Sequence, residues 1–209
     1  MTDPHFNEIY FSTDVETNGP IPGLFSMLSL GSAAYRLNSN NTFVLLSTFS
    51  VNLETLSDAT ECPDTMEFWA KHPDAYTATR QNTEAPVAGM RNFAAWIEKV
   101  VSTQQSATDR KIRPVFVGYP AGFDFMWAYW YLIRFFKYSP LGFSALDSKT
   151  YAAAVLKTPY HRVGKREMPP RWFSAERPHT HVGIDDAIEQ GEMFMRMLIE
   201  HLDLNHSIR

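Results

Sequence analysis

Three apolar, strand-like runs follow one another between residues 8 and 53, and beyond Cys62 the spacing of the apolar residues lengthens from two to about 3.6. That change of period constrains the fold more than any other feature. "EIYFSTDVET" (8–17) is apolar and β-branched and ends at the turn Asn18–Gly19–Pro20. "FSMLSLGSAAYRL" (25–37) and "TFVLLSTFSVNL" (42–53) follow, divided by the turn-forming "NSNN". Strands joined so closely predict an antiparallel meander. "CPDTMEFWAKHP" then offers Asp64 and Thr65 as helix starters and Pro73 as a stop. "APVAGMRNFAAWIEKVVSTQ" spaces Val87, Met90, Phe93, Ala94, Ile97 and Val101 as the buried face of an amphipathic helix. "RPVFVGYP" reads as a buried strand, "FDFMWAYWYLIRFFKY" as a mostly buried helix and "DSKTYAAAVL" as a shorter one. The proline-rich stretch 158–180 is expected to be a long loop or flap before a closing amphipathic helix, "DDAIEQGEMFMRMLIEHL". This order predicts an α/β fold: a mixed central sheet, its first three strands antiparallel, with helices on its flanks. A chain of 209 residues suits one domain over 1–209. Trp127, Trp130, Phe135, Phe136 and the methionines 193, 195 and 197 have the spacing of core residues.

Composition narrows the setting. The net charge of −4 provides no global attraction to a polyanion, so a nucleic-acid partner has to be held by local basic contacts. A single cysteine, Cys62, forms no internal disulfide and suits a reducing cytoplasm. "MTDPHFNEIY" has neither the basic start nor the apolar core of a secretory leader. The longest apolar stretch, about 123–136, is too short and interrupted for a bilayer. A cytoplasmic protein without a membrane partner is expected.

Asp14 and Glu16 stand two apart at the end of the first strand, so both side chains project from one face. Like charges that close repel unless a cation or a proton intervenes, although a bare D-x-E is also an ordinary solvated strand end. Asp124 sits where the buried strand gives way to a buried helix, between Phe123 and Phe125. A helix-capping role and a functional role fit it equally well. Asp185 and Asp186 open the last helix, where acids suit the helix dipole, and His181 precedes Asp186 by five residues.

D-x-E-T-x-G at Asp14, Glu16, Thr17 and Gly19, F-D at Phe123–Asp124, and H-x-x-x-x-D at His181 and Asp186 together resemble the three motifs of the DnaQ-like DEDDh 3′–5′ exonucleases, across residues 11 to about 200. The Trp-containing "MEFWAKHPDAYTATRQN" also resembles a segment of that family's small bacterial and phage exoribonucleases. Two positions depart from the pattern: Tyr119–Pro120–Ala121–Gly122 replaces a common His-Asn-Ala, and Gly183 stands where Ala is common. The resemblance implies an RNase H-like fold and a metal-dependent hydrolase of single-stranded nucleic acid, leaning to RNA over DNA, with a homodimer allowed. It implies that Asp14, Glu16, Asp124 and Asp186 hold two Mg²⁺ or Mn²⁺ ions, which prefer oxygen ligands. His181 becomes the general base, since a free imidazole, with a pKa of about 6.5, is largely neutral near pH 7. Thr17, Asn18, Gly19 and Phe123 are implied at the 3′-terminal nucleotide.

Lys157, Arg162, Lys165, Arg166, Arg171 and Arg177 face only Glu167 and Glu176 in the 157–177 stretch. This strip, with Arg171 on phosphate and Trp172 or Phe173 under a base, is one reading; a solvated loop with a packing Trp is the other. His179 and Asp147 read as structural, Asp147 as a helix cap. Two rival functions remain at this point: a non-cutting nucleic-acid-binding module and a phosphodiesterase of short oligonucleotides.

Overall fold

In the computed structural model, which describes residues 7–105, 111–174 and 180–206, the strand β1 (Glu8–Thr17) is the middle strand of five. Its alternate side chains are apolar on both faces: Ile9, Phe11 and Val15 enter one core, Tyr10 the other. A strand buried on both sides belongs in the middle of a three-layer arrangement. The residues 1–6, and Glu176, Arg177 and His179, lie outside the described residues.

β2 (Met27–Leu37) and β3 (Phe43–Asn52) extend the sheet on one side as the expected meander, each antiparallel to its neighbour. β4 (Arg113–Gly118) joins on the other side, parallel to β1, followed by a short parallel β5 (Ala145–Asp147) that the sequence pattern does not announce. The order is β3-β2-β1-β4-β5. A parallel neighbour requires a crossover, provided by α3 (Pro86–Gln104). Before it lie α1 (Pro63–Lys71) and α2 (Pro73–Thr79); Pro73 therefore opens a second helix at its first position as well as closing off the first.

One face of the sheet is covered by α3 and by α4 (Ala121–Tyr131), which runs on into a wider turn at Leu132–Phe136. Met90, Phe93, Ala94, Ile97 and Val100 form the buried stripe of α3, whereas Val87 is exposed, so the stripe begins one turn later than its spacing predicts. The other face is covered by α5 (Ser148–Val155) and α6 (Gly183–His206). The described part of the 158–180 loop is pinned to this second core by Val163, Met168 and Trp172. No helix among the described residues is long and apolar enough to cross a membrane.

Candidate active site

The site forms where β1 ends, and a glycine contact constrains it. Asp14 pairs with Gly31 of β2, and a Cβ on Gly31 would lie 2.3 Å from the backbone of Gly183 and Ile184. The bare position lets the N-terminus of α6 rest directly on the sheet beside Asp14. Further along, Gln190 Nε2 donates to the Thr13 carbonyl at 2.9 Å and fixes the helix to β1.

Asp186 is carried in by this seating. It is buried, and its Oδ1 accepts the Thr180 N–H at 3.0 Å, while the exposed Asp185 accepts the Thr180 hydroxyl at 3.2 Å. Of two adjacent first-turn acids, only one turns inward.

Asp124 arrives from the other side of β1. β4 ends at Gly118, whose missing side chain leaves space for the Asp124 carboxyl: a Cβ there would be 3.0 Å from Oδ2. Asp124 Oδ2 accepts the Tyr119 N–H at 3.2 Å. The capping work near α4 falls instead to Asp147, which accepts the Ala121 N–H at 2.7 Å and the Thr150 N–H at 2.6 Å. Asp147 is thus a cap, as its sequence suggests.

His181 adopts a left-handed backbone, φ 57°, and its ring stands edge-on to Phe68 at 5.2 Å and 4.7 Å from the ring of His72. Phe68 and His72 pack on each other at 4.5 Å. They come from the end of α1, which Trp69 ties to β1 by donating its indole N–H to the Thr17 carbonyl at 2.9 Å. Nothing in the sequence pattern singles out Phe68 and His72 beyond their i, i+4 spacing, which does not say what that face meets.

The charges at the site interact strongly. The Asp14 carboxyl is pushed well above the usual range, first by loss of hydration and then by Asp124, Glu16 and Asp186, with Lys165 pulling the other way. Glu16, Asp124 and Asp186 therefore each lie within electrostatic reach of Asp14. Burial raises Asp124 to about 7, although the N–H groups of Tyr119 and Val15 oppose the shift and Asp147 adds to it. Glu16, His181 and Asp186 each offer a ligand atom, all within 4.8 Å of one another, a set that could hold a metal ion. Four carboxyls, no thiolate and one imidazole suit a hard divalent cation.

Around this cluster, Thr17, Asn18 and Gly19 form a buried rim. The Thr17 hydroxyl donates to the Gly19 carbonyl at 2.8 Å, and Asn18 Oδ1 accepts the Ser26 N–H at 2.6 Å. Phe123 is half-buried one residue before Asp124 and packs on Trp127. Two expectations need correction. Trp172 is 1% exposed within the second core and has no ring face to offer a base. Arg171 is bound bidentately to Glu200 at 2.8 and 2.6 Å, and the Trp172 indole donates to the same carboxylate at 2.7 Å. The packing reading of that Trp is the one the structure bears out. Lys165 and Glu189, which the sequence did not single out as site residues, are joined by an ion pair beside the cluster.

No protein-family model matches the chain. It is, however, 30% identical over 187 residues, 90% of each chain, to the 3′–5′ DNA exonuclease Cap18 of Escherichia coli. The chain belongs to the DnaQ-like 3′–5′ exonuclease family. E. coli exonuclease I in complex with a dT13 oligonucleotide shares 18% identity and a TM-score of 0.58 over 92% of this chain. Its zinc-bound complex with single-stranded DNA gives 16% and 0.53, and a full-length 3′-exonuclease 11% and 0.55 over 95% of this chain. These likenesses carry the fold, the RNase H-like sheet with its flanking helices. This DnaQ-like chain covers 41% of exonuclease I and 81% of the full-length 3′-exonuclease.

Proposed function

We propose that this protein is a 3′–5′ exonuclease that hydrolyses the terminal phosphodiester bond of single-stranded nucleic acid with divalent metal ions as cofactors. The observation that carries the reading is the convergence of Asp14, Glu16, Asp124 and Asp186 beside His181, from three separate parts of the chain. A protein that only bound nucleic acid would gain nothing from a cluster of acids that repels phosphate. Asp14, Glu16, Asp124 and Asp186 would hold two Mg²⁺ or Mn²⁺ ions, completing the DEDDh set with His181. Bound there, such ions would polarise the phosphoryl group and stabilise the departing oxygen. His181 Nδ1 or Nε2 would accept the proton of the attacking water, with Phe68 and His72 limiting the ring's freedom. The buried Thr17–Gly19 backbone and Phe123 would orient the terminal nucleotide against this base.

Support for the sugar is uneven. The expectation of RNA follows from the Trp69 segment, and Trp69 is 3% exposed with its N–H on Thr17, a structural use silent about a 2′-hydroxyl. The relative Cap18 is named for DNA, which supports single-stranded DNA as the strand degraded. The deciding experiment digests 5′-labelled DNA and RNA of one sequence with Mn²⁺ or Mg²⁺. Stepwise shortening from the 3′ end, faster on DNA, is expected. Retention without products would leave a binding module, and cleavage of dinucleotides alone a small-oligonucleotide phosphodiesterase. His181→Ala is expected to lose most turnover, on the order of 10²–10⁴-fold, while still binding Mn²⁺; near-normal turnover removes His181 from the chemistry.

A further inference from the structure

The 157–174 stretch carries Lys157, Arg162, Lys165, Arg166 and Arg171, and it turns Lys165 inward. A tight turn closes with the Glu167 N–H donating to the Gly164 carbonyl at 3.0 Å, and Arg166 and Glu167 are exposed on it. Between them and the core, Lys165 donates to Glu189 of α6, with side-chain exposures of 26% and 9%. The lysine's ammonium also lies 5.6 Å from the centre of the Tyr119 ring, and the Tyr119 backbone N–H is the one held by Asp124. The loop is fixed on both sides of this lysine. The Tyr119 hydroxyl donates to the Val163 carbonyl at 3.1 Å, and Val163 and Met168 are buried. Glu189 follows Asp186 by three positions, so both carboxylates lie on one face of α6, and Lys165 stands close enough to Asp14 to oppose the repulsion of three acids.

We propose that Lys165, tethered by Glu189, is the resident counter-charge of the carboxylate cluster and competes with the divalent ions for it. This rests on the metal-dependent reading above. A fixed ammonium beside the acids lowers the cluster's negative potential and so weakens its hold on an incoming cation. Lys165 is on this account a positioning residue whose charge sets the ion concentration at which the site fills. The ions need not be held as tightly as four unopposed acids would hold them, which suits a site that has to exchange them between substrates.

The test is Mn²⁺ titration by isothermal calorimetry, without nucleic acid. Lys165→Met keeps the unbranched stem and removes the charge, and is expected to bind Mn²⁺ about tenfold more tightly, the equivalent of about 1.4 kcal/mol. Lys165→Arg keeps the charge and is expected to match the wild type. Circular dichroism and melting in EDTA check that each variant folds. Mn²⁺ binding by Lys165→Met equal to or weaker than wild type overturns the proposal. If that variant does not fold, Lys165→Gln, which also removes the charge, decides, and binding equal to or weaker than the wild type there overturns it. A wild type that binds Mn²⁺ but cuts no nucleic acid would sink the exonuclease reading alone.

Discussion

Towards its C-terminal end α6 presents Glu200, whose carboxylate accepts two hydrogen bonds from Arg171 and one from Trp172 and is held below the usual glutamate range by them. At the other end of the same helix, Asp186 lies with Asp14, Glu16 and Asp124, and the Asp14 carboxyl is driven upward by burial and by all three. The first acid is answered by a guanidinium and an indole, and its charge is used to hold a loop. The second group holds more negative charge than the nearby N–H groups and Lys165 offset. Acids satisfied by the fold indicate structure; acids the fold brings together at an electrostatic cost indicate a cation to come.

Replacing one acid at each end tests the contrast. Asp124→Asn is expected to lower turnover by on the order of 10³-fold, measured on a labelled strand. It should also raise the stability of the metal-free protein above pH 7, by on the order of 1–3 kcal/mol in denaturant unfolding. The sign follows from the folded value of about 7 against an unfolded carboxyl near 4. The wild type's contribution from this group is fully present below about pH 4 and is lost as the pH rises through about 7. In EDTA the wild-type stability should therefore fall over that window, and Mn²⁺ should restore it by binding the folded state. Loss of stability in Asp124→Asn at pH 8 would break the comparison.

A smaller effect is expected from Gly31→Ala, because the added carbon would sit 2.3 Å from the α6 backbone. The helix has to lift, carrying Asp186 away from Asp14. Turnover should fall roughly 10²-fold, more than the accompanying loss of about 1–3 kcal/mol would produce by unfolding alone. Wild-type turnover in this variant would show that the helix seat is not what places Asp186.

Glu200→Ala is expected to have the smallest effect, and of the opposite kind. It leaves the buried Trp172 N–H without its acceptor and should cost about 1–2 kcal/mol, read as a lowered melting temperature, with turnover at 25 °C nearly unchanged. A large turnover loss in a folded Glu200→Ala protein would mean that both ends of α6 serve catalysis.

Much of the fold could be read from local pattern. β1 spans the same residues in sequence and structure because its apolar run ends at turn-forming Asn18–Gly19. β5, three residues long, is too short to show a period and exists only because β4 offers it an open edge. The exposure of Val87 depends on where α3 leaves the sheet, which periodicity does not report. At the site, the acids and His181 were recognisable from motif order. The inward turn of Lys165 and the His72–Phe68 wall are not, and pattern leaves Trp172 between packing and stacking, because each is decided by a contact between segments far apart in the chain. Charge counting does not distinguish Lys165 from Arg166, whereas burial does.

The dependence of the site on α6 has a consequence during synthesis. Asp14, Glu16 and Asp124 emerge from the ribosome well before His181 and Asp186, and the seat at Gly31 stays empty until the last helix docks on it. The acidic cluster is therefore complete only after the step that completes the second core.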